Sequence, residues 1–213
     1  MYLTQLHLDG GSRRTLTALS SPNKFHGAVE NAFQGPRKRN LWRIDHRNGQ
    51  DYLLLLSEEV PDLTEAADQF APPGETWQTR EYGPLLDRVR AGSRWQFRLC
   101  ASPTYSVPAG PGKRGRVCAH STTEHQIQWL LEQSEKHGFS LERDDFTVTK
   151  VKWYRFRKGT TGHQVTFLAV TYDGTLEVRD PDRFREMLCG GIGRGKAYGA
   201  GLMTIVHRGE ADG

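Results

Sequence analysis

Trp95, Phe97 and Leu99 alternate with polar neighbours, the pattern of a half-buried strand. The chain ahead of them reads strand, helix, strand, strand, helix, strand. Tyr2 to Leu8 is the first strand. A helical stretch from Arg13 to Phe33 is broken at Ser21-Pro22, where Ser21 can N-cap a second helix with Pro22 at its first position. Leu41 to Arg47 and Tyr52 to Leu56 are strands joined by Asn48-Gly49, a strong hairpin signal. Asp62 can cap a helix over Leu63 to Phe70 that Pro72-Pro73-Gly74 ends. Trp77 to Tyr82 is the fourth strand, and Gly83 to Gly92 reads as a linker.

The order recurs downstream. After the Trp95 strand comes a polar, glycine- and proline-rich loop, Pro103 to Ala119. Ser121 and Glu124 then form a capping box for a helix whose Ile127, Leu130 and Leu131 face the core, ending near Gly138. Val148 to Lys158 and His163 to Tyr172 pair as a hairpin, Asp173-Gly174 turns into Leu176 and Val178, and a helix (Asp182 to Leu188) and a final strand follow. Two successive β-α-β-β-α-β units predict an α+β protein of two tandem ferredoxin-like (RRM-like) domains, residues 1–87 and 93–213.

Composition narrows the class. Net charge is +4 over 213 residues, a mild basic excess whose clustering matters more than its size. Cys100, Cys118 and Cys189 are scattered and form no C-x-x-C pair, as free thiols in a reducing compartment would be. No apolar run approaches the roughly 20 residues of a membrane span. These features predict a cytoplasmic protein without a membrane partner.

The densest chemical signal is Gly190 to Gly201, six glycines in twelve residues with Arg194, Lys196 and Tyr198. Glycine permits positive φ and close backbone approach, so amides can point at an anion while the cations add charge. Gly190 to Lys196 has the spacing of a P-loop, but Ala197 stands where Ser or Thr must hold Mg²⁺, and room for only one strand follows. Gly191-Ile192-Gly193 fails as a dinucleotide fingerprint for want of a βαβ unit. A phosphate-rich polymer fits better than a nucleotide cofactor, against the plainer alternative of a flexible loop.

Basic residues cluster at three places. Lys113, Arg114 and Arg116 lie in the long loop. Lys150, Lys152, Arg155, Arg157 and Lys158 climb the hairpin among Trp153, Tyr154 and Phe156, which puts Val151, Trp153, Arg155 and Arg157 on one face and Lys150, Lys152, Tyr154 and Phe156 on the other. A ribbon basic on both faces predicts a projection that meets a polyanion, since two strands can enter a nucleic-acid groove. Arg37, Lys38 and Arg39 form a separate triplet, read as a solvated loop. Among eight histidines no pair has metal-ligand spacing. His26 stands apart because it lies about one turn into the helix begun at Ser21-Pro22, near the positive helix end where phosphate is also drawn.

Met1-Tyr2-Leu3, the Ser21-Pro22-Asn23-Lys24-Phe25-His26 segment, the Gly112-Lys113-Arg114-Gly115-Arg116-Val117 loop, and the ending from Gly191 to Leu202 together resemble the CasE family. That family is the CRISPR-associated endoribonuclease maturing CRISPR RNA in Cascade complexes, within the repeat-associated RNA-binding superfamily. The resemblance covers nearly the whole chain. It implies a catalytic His26; beside it, Asn23, which can hydrogen-bond a phosphate oxygen or a ribose hydroxyl, and Lys24, a candidate for transition-state charge, are candidates for catalytic support. RNA contacts are implied for Lys113, Arg114, Arg116, Lys152, Arg155, Arg157, Lys158, Arg194 and Lys196. The glycine-rich loop would run through Gly191, Gly193, Gly195, Gly199 and Gly201. The partners implied are a CRISPR repeat stem-loop and other Cascade subunits, with no DNA contact for this subunit alone, no cofactor and no metal. Relatives carry a tyrosine three residues before the histidine; Asn23 stands there, and its amide cannot transfer protons.

These readings predict RNA cleavage in which the ribose 2′-hydroxyl attacks the adjacent phosphate, with an imidazole of ordinary pKa near 6.5 moving protons. The rival is a subunit that binds the stem-loop without cutting it. A protein scaffold with no RNA contact is disfavoured by the charged aromatic hairpin.

Overall fold

A computed structural model describes residues 1–110, 112–113, 115–158 and 162–207. Arg114 lies outside them, as do the side chains of Lys158 and His163. The first half contains strands β1 (Tyr2–Leu8), β2 (Leu41–Arg47), β3 (Gln50–Ser57) and β4 (Gln78–Glu81), with helices α1 (Arg13–Ser20), α2 (Asn23–Asn31) and α3 (Thr64–Phe70). Its antiparallel sheet has the order β2-β3-β1-β4. The turn between β2 and β3 has positive φ at both Asn48 and Gly49, as the Asn-Gly pair demands.

The uninterrupted Leu53–Leu56 run reflects a sheet buried on both faces. Leu53 and Leu55 pack with Leu6, Leu8 and Trp42 against Phe25, Val29 and Phe70 of the helices. Leu54 and Leu56 turn the other way, into the core of the second half. The two halves therefore share hydrophobic surface, which ties them together by burial.

The second half holds β5 (Arg94–Ala101), β8 (Phe139–Ser140), β9 (Phe146–Lys158), β10 (His163–Val178) and β11 (Met203–His207), with α5 (Thr123–Lys136) and α6 (Pro181–Gly190). Its sheet runs β11-β5-β10, and β9 and β8 both pair with the far side of β10. Trp95, Phe97 and Leu99 are all buried, beneath Leu130, Phe184 and Leu188 of the helices.

Several expectations are corrected. Asp173-Gly174 is no turn, because β10 continues to Val178 with Asp173 opposite Arg98 and Gly174 opposite Phe97. Glycine is required at 174 by crowding: a Cβ there would lie 2.4 Å from the Asp145 carbonyl oxygen. The loop from Pro103 to Ala119 contains a small hairpin of β6 (Thr104–Val107) and β7 (Arg116–Ala119). Thr122, not Ser121, caps α5 by accepting from the His125 amide, while Glu124 pairs with Arg143. The expected linker carries a short helix, α4 (Gly83–Leu86), and Val89 is fully buried in the second core. Ser21 gives α2 no side-chain cap; its hydroxyl donates to the Asn23 side-chain oxygen at 2.7 Å.

Candidate functional site: a basic cleft between the two halves

Arg43 on β2 is 1% exposed and joins the halves. Its Nη1 donates to the carbonyls of Arg98 (2.7 Å) and Leu202 (2.9 Å), and its Nη2 donates to Thr204 Oγ1 (2.8 Å). Nε and Nη2 also form a two-pronged pair with Asp45 at 2.6 and 2.8 Å. A guanidinium can be buried in this way because its donors are satisfied and its charge is matched. Arg98 O lies on β5 and Leu202 O where the glycine-rich run meets β11, so this one side chain fixes that run against the first half.

The run from Gly191 to Gly201 is shaped first by packing. Gly191, Gly195 and Gly199 all have positive φ, and a Cβ on each would approach Leu41, Phe167 and Trp42 at 2.7, 2.4 and 2.8 Å respectively. Gly193 and Gly201 also have positive φ. Several amides are used internally: Ile192 N bonds Gly201 O, Gly201 N bonds Cys100 O, and Tyr198 N bonds Gly195 O. The glycines thus let a tightly folded loop lie on aromatic rings, and its cationic side chains form a wall.

That wall faces α2 across an open cleft of about 560 Å³. On one side stand His26, Glu30 and Trp42; on the other, Arg194, Lys196 and the backbone of Gly193, Gly195 and Ala197. Arg37, Lys38 and Arg39, read from sequence as a solvated loop, line the same cleft. A basic triplet resembles any solvated loop, and nothing local in the sequence separates the two. Lys38 is drawn to Glu58 and Glu59, at 3.1 and 2.7 Å, and these carboxylates raise its pKa. Lys196 is half-buried; desolvation, then the nearby Arg39 charge, hold its ammonium below the usual lysine range.

His26 sits at this wall with its side chain 19% exposed. Its Nε2 is 2.9 Å from Arg37 Nη2, and its Nδ1 is 3.8 Å from Glu30. Arg37 and Glu30 are themselves ion-paired. The His26 ring also meets Tyr198 edge-on, with centroids 6.4 Å apart. Asn23 turns its side-chain oxygen to Ser21, and Lys24 is exposed on α2, outside the cleft lining. Among the described residues, no three His, Cys, Asp or Glu side chains gather as a metal site.

The hairpin differs from the two-sided basic ribbon expected. Lys152 Nζ donates to the Leu19 carbonyl at 3.0 Å and lies over the Tyr154 ring; burial, then the nearby Lys150, lower its pKa. Phe156 is buried, its ring edge-on to Tyr198 at 5.0 Å. Lys152 of this face is therefore engaged with the first half, while Lys150 beside it is exposed. The other face remains open, with Val151 and Trp153 (52% exposed) beside exposed Arg155 and Arg157. Hairpin, glycine-rich loop and His26 meet through Tyr198. Lys113 and Arg116 are exposed on the separate β6–β7 hairpin, outside the cleft, with Arg116 bonded to the Cys118 sulfur.

A family model described as CRISPR associated protein matches residues 1–207. The CRISPR-associated endoribonuclease Cse3 of Thermus thermophilus is 32% identical over 222 residues, covering 96% of this chain and 99% of that protein. The chain belongs to the Cse3 family. A solved Cse3 bound to a 19-nucleotide RNA superposes with a TM-score of 0.80 at 27% identity, over 97% of this chain and all of that one. Thermus thermophilus Cse3 bound to an RNA representing a pre-cleavage complex superposes equally well, TM-score 0.80 at 26% identity, over 96% and 98% of the two chains. The α+β architecture of this Cse3-family protein is thus that of RNA-bound relatives. No described helix is long and apolar enough to cross a membrane.

Proposed function

We propose that this Cse3-family protein is a metal-independent endoribonuclease that cuts CRISPR precursor RNA at repeat stem-loops. The observation that carries the reading is the placement of His26 in a cleft lined by five cationic side chains and one carboxylate. Such a cleft attracts a phosphodiester and presents an imidazole to it.

RNA supplies its own nucleophile. The 2′-oxygen bonds to the adjacent phosphorus as the bond from phosphorus to the 5′-oxygen breaks. The 2′-hydroxyl proton leaves to a base and the 5′-oxygen takes up a proton, giving a 2′,3′-cyclic phosphate and a 5′-hydroxyl. His26 serves one of these transfers, a role worth about 10²–10⁴-fold in rate. Cations of the cleft, Arg194 and Lys196 among them, offset the charge on the phosphorane. The open face of the hairpin, with Arg155 and Arg157, holds the stem, and Trp153 offers a ring for stacking. Lys113 and Arg116 extend the basic surface. Other Cascade subunits are the protein partners in this reading.

The strand orders support two ferredoxin-like units, residues 1–87 and 93–213. In each, the first and third strands of the β-α-β-β-α-β order are central and the second and fourth lie outside.

The test is cleavage of labelled repeat RNA in excess EDTA. His26→Ala should abolish cutting and leave stem-loop affinity nearly intact, and a single 2′-deoxyribose before the cut should permit binding only. Cleavage that survives either change overturns the mechanism. The Asn23 side chain, bonded to Ser21, favours one alternative, a non-catalytic RNA-binding subunit. A gel shift without fragments from the wild-type protein would establish it.

A further inference from the structure

Arg37 holds two partners at once. Its Nε side meets the Glu30 carboxylate and its Nη2 lies 2.9 Å from His26 Nε2, yet its side chain is 69% exposed and lines the cleft. Guanidinium has donors and no acceptor, so this contact requires a lone pair on Nε2 and places the ring proton on Nδ1, the nitrogen facing Glu30. A neutral imidazole is a weak partner for an exposed guanidinium. A phosphodiester is a stronger one, because its oxygens take two parallel charge-assisted bonds.

Resting on the endoribonuclease reading, we propose that Arg37 is a catalytic phosphate ligand whose bond to His26 is exchanged for the scissile phosphate when RNA enters. Glu30 is the positioning residue that keeps Arg37 within reach of both. Without RNA, the clamp fixes the tautomer and orientation of His26. With RNA, Nη2 moves to a non-bridging phosphate oxygen, and the Nε2 lone pair turns to the substrate for proton transfer. The same movement brings a positive charge to the atom that becomes more negative in the transition state. Lys38 is less suited to this task because Glu58 and Glu59 already hold it.

The experiment is single-turnover cleavage at saturating protein, with affinity measured separately. Arg37→Ala should slow cutting by about 10²-fold or more, with affinity reduced less than the rate, and Arg37→Lys should recover part of the loss. Guanidinium ion added to Arg37→Ala should restore part of the rate, and added to His26→Ala should restore none. A purely structural role for Arg37 would not respond to the added ion. Wild-type rates in Arg37→Ala, a defect cured by raising the RNA concentration, or failure of guanidinium to rescue would overturn the clamp. An inactive His26→Ala would leave the parent reading standing in each case. The exchange also has a readout independent of cutting. The ¹⁵N resonance of His26 Nε2 should shift when uncleavable 2′-deoxy RNA binds the wild-type protein, and an unmoved resonance would overturn the clamp.

Discussion

Arg43 donates to the carbonyl of Leu202, so a side chain of the second strand grips the residue that closes the glycine-rich loop. This holds the end of the loop against the first half. Arg43→Ala leaves Asp45 buried without a counter-charge, and the expected loss is about 3–5 kcal/mol of stability. Arg43→Lys should recover little, since an ammonium cannot reproduce the planar fork. Urea unfolding of the two variants checks this. Paired replacement of Arg43 and Asp45 by apolar residues should be milder than Arg43→Ala alone.

The loop glycines make a second case. Gly195→Ala forces a Cβ to 2.4 Å from the Phe167 ring at a φ of +82°, whereas a Cβ on Gly190 meets nothing within 4 Å. Gly195→Ala should cost about 2 kcal/mol or more, from left-handed backbone strain and overpacking. Gly190→Ala, in helical backbone, should be neutral or stabilising. Equal melting temperatures for the two variants would contradict the packing account.

The hairpin faces should separate in salt titrations of RNA binding. Removing Arg155 or Arg157 should lower the slope of log affinity against log salt by about 0.7 to 0.9 for each phosphate no longer neutralised. Lys152→Ala should leave the slope unchanged and lower the melting temperature, because its ammonium serves Leu19 within the protein. A Lys152→Ala slope as reduced as that of Arg157→Ala would place RNA on the Lys152 face.

Acid should weaken the fold before the carboxylates titrate. Burial, and the positive charges of Lys196 and Lys136, hold His137 below its ordinary 6.5. His120 is lowered as well, by burial and then by His125. The unfolded chain therefore takes up these protons first, so the contribution of these two groups to stability falls as pH drops below 6.5 and is fully present above it. Melting temperatures at about pH 7.5 and 5.5 should differ, and His137→Gln should narrow the gap.

Much of the fold was legible because its signals are local. Asn48-Gly49, the break at Ser21-Pro22 and the alternation around Trp95 each act over a few residues. Asp173-Gly174 misled because the sequence shows a turn pair but not Asp145 and Phe146, whose crowding requires that glycine in a strand. His26 and the glycine-rich loop stood out by composition. Arg37 did not, because a basic triplet resembles any solvated loop until the fold lays it across His26. The engagement of Lys152 was equally invisible, since its partner is the main chain of Leu19, distant in sequence.

Lys196 and Arg39 face the same opening, and burial, then the Arg39 charge, makes the charge of Lys196 harder to bear. An unoccupied molecule thus carries an internal repulsion that any polyanion relieves, and occupancy by RNA stabilises it by mass action. On the endoribonuclease reading proposed above, a protein made faster than its RNA is the form most open to unfolding and proteolysis.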